Sequence, residues 1–447
     1  MTTPTSVPAV LPWHRREDTW AILIALGLVL ASTLAFFLGV SRALGTAALS
    51  IPTWSEGGTL AGALAANPAA PLALFLLFLA AFSAASLAIG WDVVRYAAGF
   101  AVLFLFSIAV TALGSNASLK QWQLEPPLIA LAVGMVLGNA VRLPAWFQSA
   151  LRTEFYVKVG IVLMGATLPF TLVLQAGPVA MLQATLVAVA TFAAIHLAAT
   201  RLLGLDPRFG ATLGAGGSIC GVSAAIAVGG ACRAEKSHVS VAISLVVLWA
   251  VAMIFALPFA ARHLGLAPGV AGAWIGTSEF ADAAGFAAAA ALGDDRAVKT
   301  FTLMKVVGRD MFVGVWALLV AWLSVTRWDR GTAGPPERVG AGEIWRRFPR
   351  FVLGFLVASV LVTVVLASLE GPAASRFARG VVDPLKTLRG WAFTWTFLSI
   401  GFTTRFRDLT RFGWRPFAAV AAGVLVNVPL GYWLSTHVFA SHWLSVR

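Results

Sequence analysis

Charge inside otherwise apolar sequence marks where the chemistry of this chain must reside. In GTSEFADAAGFAAAA, residues 276–290, Glu279 and Asp282 stand three apart, which on one continuous helix puts both carboxylates on a single face. Thr277 and Ser278 precede them and add hydroxyls. The next apolar stretch supplies Lys305 and Arg309, four apart on one face, followed at once by Asp310. A charge at the bilayer centre costs roughly 2.5 to 3.5 kcal/mol, so these groups would cost on the order of 12 kcal/mol if central and unpaired. They must be paired, wet or near an interface. In one reading, Glu279 or Asp282 neutralises Lys305 or Arg309 and locks two helices together. In the other, the pairing is switchable: a cation holds an anionic substrate, and a carboxylate releases it on protonation or on arrival of a coupling cation.

A second stretch, FGATLGAGGSICGVSAAIAVGG at 209–230, holds seven glycines, each costing about 1 kcal/mol relative to Ala in a helix interior. One reading is close packing of small residues against a neighbouring helix. The other is a break around Gly216 to Gly221, leaving a half-helix whose free N–H groups and positive dipole end face an anion at mid-depth. There Gly217 and Gly221 offer backbone, Ser218 and Ser223 offer hydroxyl donors, and Cys220 is either a packing residue or a contact. Glu154 and Lys158 read as an interfacial pair, and His196 as a packed histidine.

The elements that position these groups follow from the solvent. Hydrophobic residues make up 59% of the 447-residue chain and charged residues 11%, with a mean hydropathy of +0.85, which places it in a lipid bilayer. Runs such as Ala21 to Val40 carry neither charge nor alternation, so the chain spans as helices and not as a barrel. The fold class is all-α, a polytopic integral membrane protein. About thirteen transmembrane helices of roughly 20 residues are expected, near 20–40, 71–90, 97–113, 126–140, 154–174, 179–200, 209–230, 239–260, 269–292, 299–325, 348–368, 387–403 and 415–437. The net charge of +13 lies in short loops, which argues against nucleic acid. Cys220 and Cys232 have neither disulfide nor metal-ligand spacing. GxGxxG after a strand, GxxxxGK[ST], HExxH and GxSxG are all missing, so no catalytic residue, metal or cofactor is expected, and the chain reads as a non-enzyme. The first apolar run is longer than a signal-peptide core and reads as a retained helix.

Excess Lys and Arg mark cytoplasmic loops. With the N-terminus inside, the richest loops face the cytoplasm: Arg327, Arg330, Arg338, Arg346, Arg347 and Arg350 in one, Arg405, Arg407, Arg411 and Arg415 in another. The expected organisation is a cytoplasmic tail at 1–19, additional N-terminal spans at 20–113, a transporter core at 114–330, a linker at 331–347, and second-repeat spans at 348–447. The repeat rests on GATLPFTLVLQAG and GFTTRFRDLTRFG, which share Gly165/Gly401, Thr167/Thr403, Phe170/Phe406 and Gly177/Gly413 at one offset and run in opposite directions. Inverted repeats are a transporter signature.

GAGGSICGVSAAIA at 214–227 resembles the GxSICGxSA signature of the YeiH-type sulfate exporter family, and 126–139, 158–168 and 400–417 resemble it in order. The resemblance covers roughly 126–437. It implies a bacterial inner-membrane secondary carrier with inverted repeats, similar in architecture to bile-acid and sodium/proton carriers, exporting sulfate or a related oxyanion. It points at Ser218, Cys220, Gly221, Ser223, Lys305 and Arg309. This chain departs from it where shorter members have His-Glu after the turn at Gly276 to Ser278, which shifts suspicion of coupling to Glu279 and Asp282. The expected partner is a small inorganic or sulfonate-like anion, with self-association through the first three spans as an option. An anion channel, a sodium- or proton-coupled cation carrier and a membrane enzyme are the alternatives.

Overall fold

The computed structural model describes residues 12–40, 42–57, 62, 67–121, 126–310, 319–320, 350–404 and 413–446. The expected linker at 331–347, residues 1–11 of the tail and 405–412 of the second repeat copy lie outside them. The protein is an all-helical polytopic membrane protein. Among the described residues seven helices are long and apolar enough to cross a membrane, and two shorter apolar helices lie at Ile129–Ala140 and Val222–Ala231.

The chain begins with α1 (Glu17–Phe37), α2 (Ala69–Ile89) and α3 (Val93–Gly114), followed by α4 (Pro126–Ala140), α5 (Thr153–Gly165) and α6 (Phe170–Leu197). The spans expected at 154–174 and 179–200 divide differently. α5 ends at Gly165, Pro169 occupies the N-cap of α6, and Pro178 lies within α6. A proline is tolerated inside a membrane helix when its neighbours satisfy the freed carbonyl.

The glycine-rich stretch folds into α7 (Pro207–Ser218) and α8 (Val222–Ala231), and the two run antiparallel. Cys232 Sγ lies 3.7 Å from Arg208 O and 4.0 Å from Thr212 Oγ1, so the stretch enters the membrane and returns to the face it came from. α9 (Lys236–His263) then crosses to the other face. There α10 (Pro268–Ser278) and α11 (Asp282–Ala290) repeat the pattern: Arg262 near the end of α9 donates to Ala291 O just beyond α11. α12 (Asp295–Thr302) starts beside the start of α10, with Ala297 and Thr300 against Gly272. The crossings expected at 209–230 and 269–292 are thus corrected to two re-entrant hairpins. Two half-helices have together the length of one span, and hydropathy does not reveal whether the second half continues or reverses.

The last long helices are α13 (Phe351–Ser368), α14 (Asp383–Thr403) and α15 (Trp414–Trp433). α14 runs antiparallel to α5, since Arg389 reaches Met164 and Thr167 while Phe393 lies on Gly160. α15 runs antiparallel to α6, through Asn427 to Thr191 at 3.0 Å and Gln183 to Ser435 at 2.7 Å. Gly165 packs on Phe355 and Ala358 of α13, and Gly401 on Leu131 and Gly134 of α4. An inverted repeat that exchanges α4 with α13, α5 with α14 and α6 with α15 reproduces these contacts.

The N-terminal helices pack against this frame. The Tyr96 and Tyr156 hydroxyls share a 2.8 Å hydrogen bond, Trp395 Nε1 donates to Ser107 Oγ at 3.1 Å, and Phe78, Phe82, Phe100 and Trp395 are fully buried. Lys158 pairs with Asp18 of α1 at 2.7 Å.

Candidate functional site

Local signals explain where each hairpin starts. The Asp206 side chain accepts from Arg208 N and Phe209 N and caps α7, with Pro207 at the first helical position; α10 opens on Pro268 in the same way. α7 stops at Ser218 because the chain reverses through Gly221 at φ 72°, ψ −115°, a conformation that suits only glycine. The other tip is the extended segment Glu279 to Ala281. The tips touch: a Cβ on Gly221 would stand 3.1 Å from Phe280 O and 3.5 Å from Ala281 Cα.

Ending α7 and α10 at depth leaves their last carbonyls without helical partners, where no water is at hand. The segment after α12 supplies the donors. Leu303–Val307 forms one wide π turn, a feature frequent at functional sites, and it carries Lys305. Lys305 Nζ donates to Ile219 O at 2.7 Å, Phe280 O at 3.0 Å and Glu279 O at 3.2 Å, and lies 3.4 Å from Asp282 Oδ1. Arg309 donates to Glu279 O at 2.8 Å, Thr277 O at 3.0 Å, Gly276 O at 3.1 Å and Ser218 O at 3.2 Å. Two cations thus close the negative ends of both half-helices and bind both tips to one segment. Asn427 of α15 adds a donor to Thr277 O at 3.1 Å.

The positive helix ends differ from each other. Glu279 Oε1 accepts from Phe280 N at 2.9 Å and Ala281 N at 3.3 Å, and Asp282 opens α11, so that end already meets two carboxylates. α8 begins without a side-chain cap, and Ser223 in its first turn is exposed. Ser218, Thr277, Ser278, Glu279 and Lys305 are fully buried, whereas Asp282 keeps 15% of its side chain open.

Every residue that the sequence marks for substrate binding or coupling, Gly217, Ser218, Cys220, Gly221, Ser223, Thr277, Ser278, Glu279, Asp282, Lys305 and Arg309, lies on the two hairpins or on the segment that ties them. The shared helix face expected for Glu279 and Asp282 is corrected: the first caps α10, the second begins α11, and a break separates them. Cys220 packs in an apolar cluster with Ile219, Ala224 and Val228, and His196 stacks on Phe192 with centroids 5.8 Å apart. Sequence reasoning missed Asn427, whose only signal was a lone amide in an apolar run, VLVNVP.

Residues 98–420 match the profile of a family described as conserved hypothetical protein 698. The chain is 34% identical to a UPF0324 membrane protein of Rhodopirellula baltica over 363 residues, covering 80% of this chain and 66% of that one. It is 32% identical to one from Nitratidesulfovibrio vulgaris, covering 81% and 63%, so it spans just under two thirds of these two relatives. With a UPF0324 membrane protein of Nitrosomonas europaea it shares 30% identity over 89% of this chain and 90% of the relative. No solved structure matches.

Proposed function

The chain belongs to the conserved hypothetical protein 698 family of membrane proteins, the family its SICG string resembles, and from that premise we propose that it is a secondary active transporter of a small oxyanion such as sulfate. One observation carries the reading: two re-entrant hairpins from opposite faces meet tip to tip, and one of them presents an uncapped helix N-terminus at Val222 and Ser223. Free amides at such an end favour anions, and the Ser223 hydroxyl adds a donor. An anion there competes with Asp282 for Lys305, which links occupancy to the contact between the tips.

In this reading α7 to α12 form the substrate-bearing unit and move against a frame of α1 to α5, α13 and α14, exposing the tips to each side in turn. The Arg-rich segments at 327–350 and 405–415 support a cytoplasmic N-terminus, and a bacterial inner membrane belongs to the same reading. Export, and self-association through the first three helices, belong to the same proposal. One observation favours a second reading, a sodium- or proton-coupled cation carrier: Lys305 and Arg309 direct their N–H groups to backbone carbonyls, while Glu279 Oε2 is buried without a partner among the described residues.

Thermal unfolding of the purified protein with sulfate, sulfite, thiosulfate, taurine or sodium chloride separates the two. A ligand at a hundred times its Kd adds about 2.7 kcal/mol to stability. The transporter reading expects that gain from an oxyanion, and a smaller one in Ser223→Ala. Stabilisation by sodium alone, lost in Glu279→Gln, transfers the assignment to the cation carrier.

A further inference from the structure

One carboxylate at the tips has no role in the arrangement described above. Asp310 follows Arg309 directly and is 1% exposed, and among the described residues neither of its oxygens has a hydrogen-bond partner. Its cationic neighbours are committed elsewhere, since Lys305 and Arg309 hold the carbonyls of both tips. The titratable groups close enough to interact with it electrostatically are Lys305 and Arg309 from its own segment, Asp282 from the second hairpin, Cys220 from the first, and Glu154 from α5. α6 packs on Gly308 through Ala180 and Ala184 and brings no titratable group there. An ionised carboxylate buried without a donor is the arrangement that protein interiors avoid by taking up a proton. One donor stands ready for the ionised form: Arg309 Nη2, also buried and without a partner among the described residues.

We propose that Asp310 is the proton-binding site of this carrier, holding its proton while Lys305 and Arg309 close the tips and releasing it when the tips part. On release the O–H bond of the acid breaks, the electron pair stays on the carboxylate, and the proton passes to water on the open side. Arg309, freed from the tip carbonyls, then turns to the new charge. This deepens the proposed transport function and rests on it, whereas the protonation of Asp310 in the closed arrangement rests on the local geometry alone.

Infrared difference spectroscopy of the purified full-length protein near neutral pH reads the protonation directly. A carbonyl stretch of a protonated carboxylic acid is expected in the wild type, with one component lost in Asp310→Asn and retained in Asp282→Asn. A spectrum that Asp310→Asn leaves unchanged overturns the proposal. If that variant does not fold, Asp310→Glu shifts the component, and an unshifted band has the same meaning. In proteoliposomes, sulfate uptake driven by a pH gradient is lost in Asp310→Asn while sulfate–sulfate counterflow persists. Gradient-driven uptake retained in the variant overturns the coupling role. A wild type that shows the Asp310 component but moves no sulfate upholds the proton site and overturns the transport reading.

Discussion

Gly221 carries two constraints at once, a left-handed φ of 72° and a backbone of the opposite hairpin 3.1 Å from where a Cβ would sit. Gly221→Ala is expected to lower stability by about 1 to 2 kcal/mol, and Gly221→Leu to abolish transport, with thermal unfolding and sulfate flux as the readouts. Lys305→Ala strips the donor from the buried carbonyls of Ile219 and Phe280, each worth roughly 1 to 3 kcal/mol, so it loses stability and transport together. Ser223→Ala, at an exposed position, changes stability by less than about 0.5 kcal/mol while weakening the anion. The contrast separates a residue that holds the tips from one that touches the ligand. Residue types and spacing were enough to single out Lys305 and Arg309. The pairing of Lys305 with Asp282 was among the expectations; the other acceptors were illegible, because they are main-chain carbonyls, those of Ile219, Glu279 and Phe280 for Lys305 and those of Ser218, Gly276, Thr277 and Glu279 for Arg309, and main-chain groups leave no mark in a sequence.

At the scale of the element, the hairpins decide how the chain is threaded. Composition identified one of the two breaks, at the glycines of 209–230; the other, between Ser278 and Asp282, lies where the spacing of Glu279 and Asp282 read as continuous helix. Composition could not say that α8 and α11 turn back, since a reversal and a continuation bury the same residues. Single cysteines introduced in a background without Cys220 and Cys232 test the reversal. Arg201→Cys and Glu235→Cys, exposed on either side of the first hairpin, should react with a membrane-impermeant thiol reagent from one face only, the same for both. His263→Cys and Arg296→Cys, exposed around the second hairpin, should react from the other. Labelling of Arg201→Cys and Glu235→Cys from opposite faces would restore the continuous span and undo the site.

For the whole molecule, the inverted repeat was partly legible. Gly165 and Gly401, aligned by one offset, occupy equivalent places, each against the helix that the exchange of α4 and α13 requires. Residues 405–412 of the second copy lie outside the described residues, so the match rests on helix packing there. Where α12 begins, Asp295 gathers Arg389 at 3.0 Å, Lys386 at 3.3 Å and Lys299 at 3.6 Å. The first two belong to α14, so this cluster ties the hairpin-bearing unit to the frame. If the two units move against each other, Asp295→Asn loosens the tie: thermal stability falls and exchange quickens. Equal stability and equal rate would place the cluster outside the moving seam.

An oxyanion held at the tips of a carrier exchanges across the membrane, which counterflow of radiolabelled sulfate in proteoliposomes measures. Saturable counterflow is expected in the wild type, competed by sulfite or thiosulfate and lost in Gly221→Leu. Sulfate movement that does not saturate and shows no counterflow would mean a channel, and no movement of any of these anions, with sodium or protons carried in their place, would contradict the anion site outright.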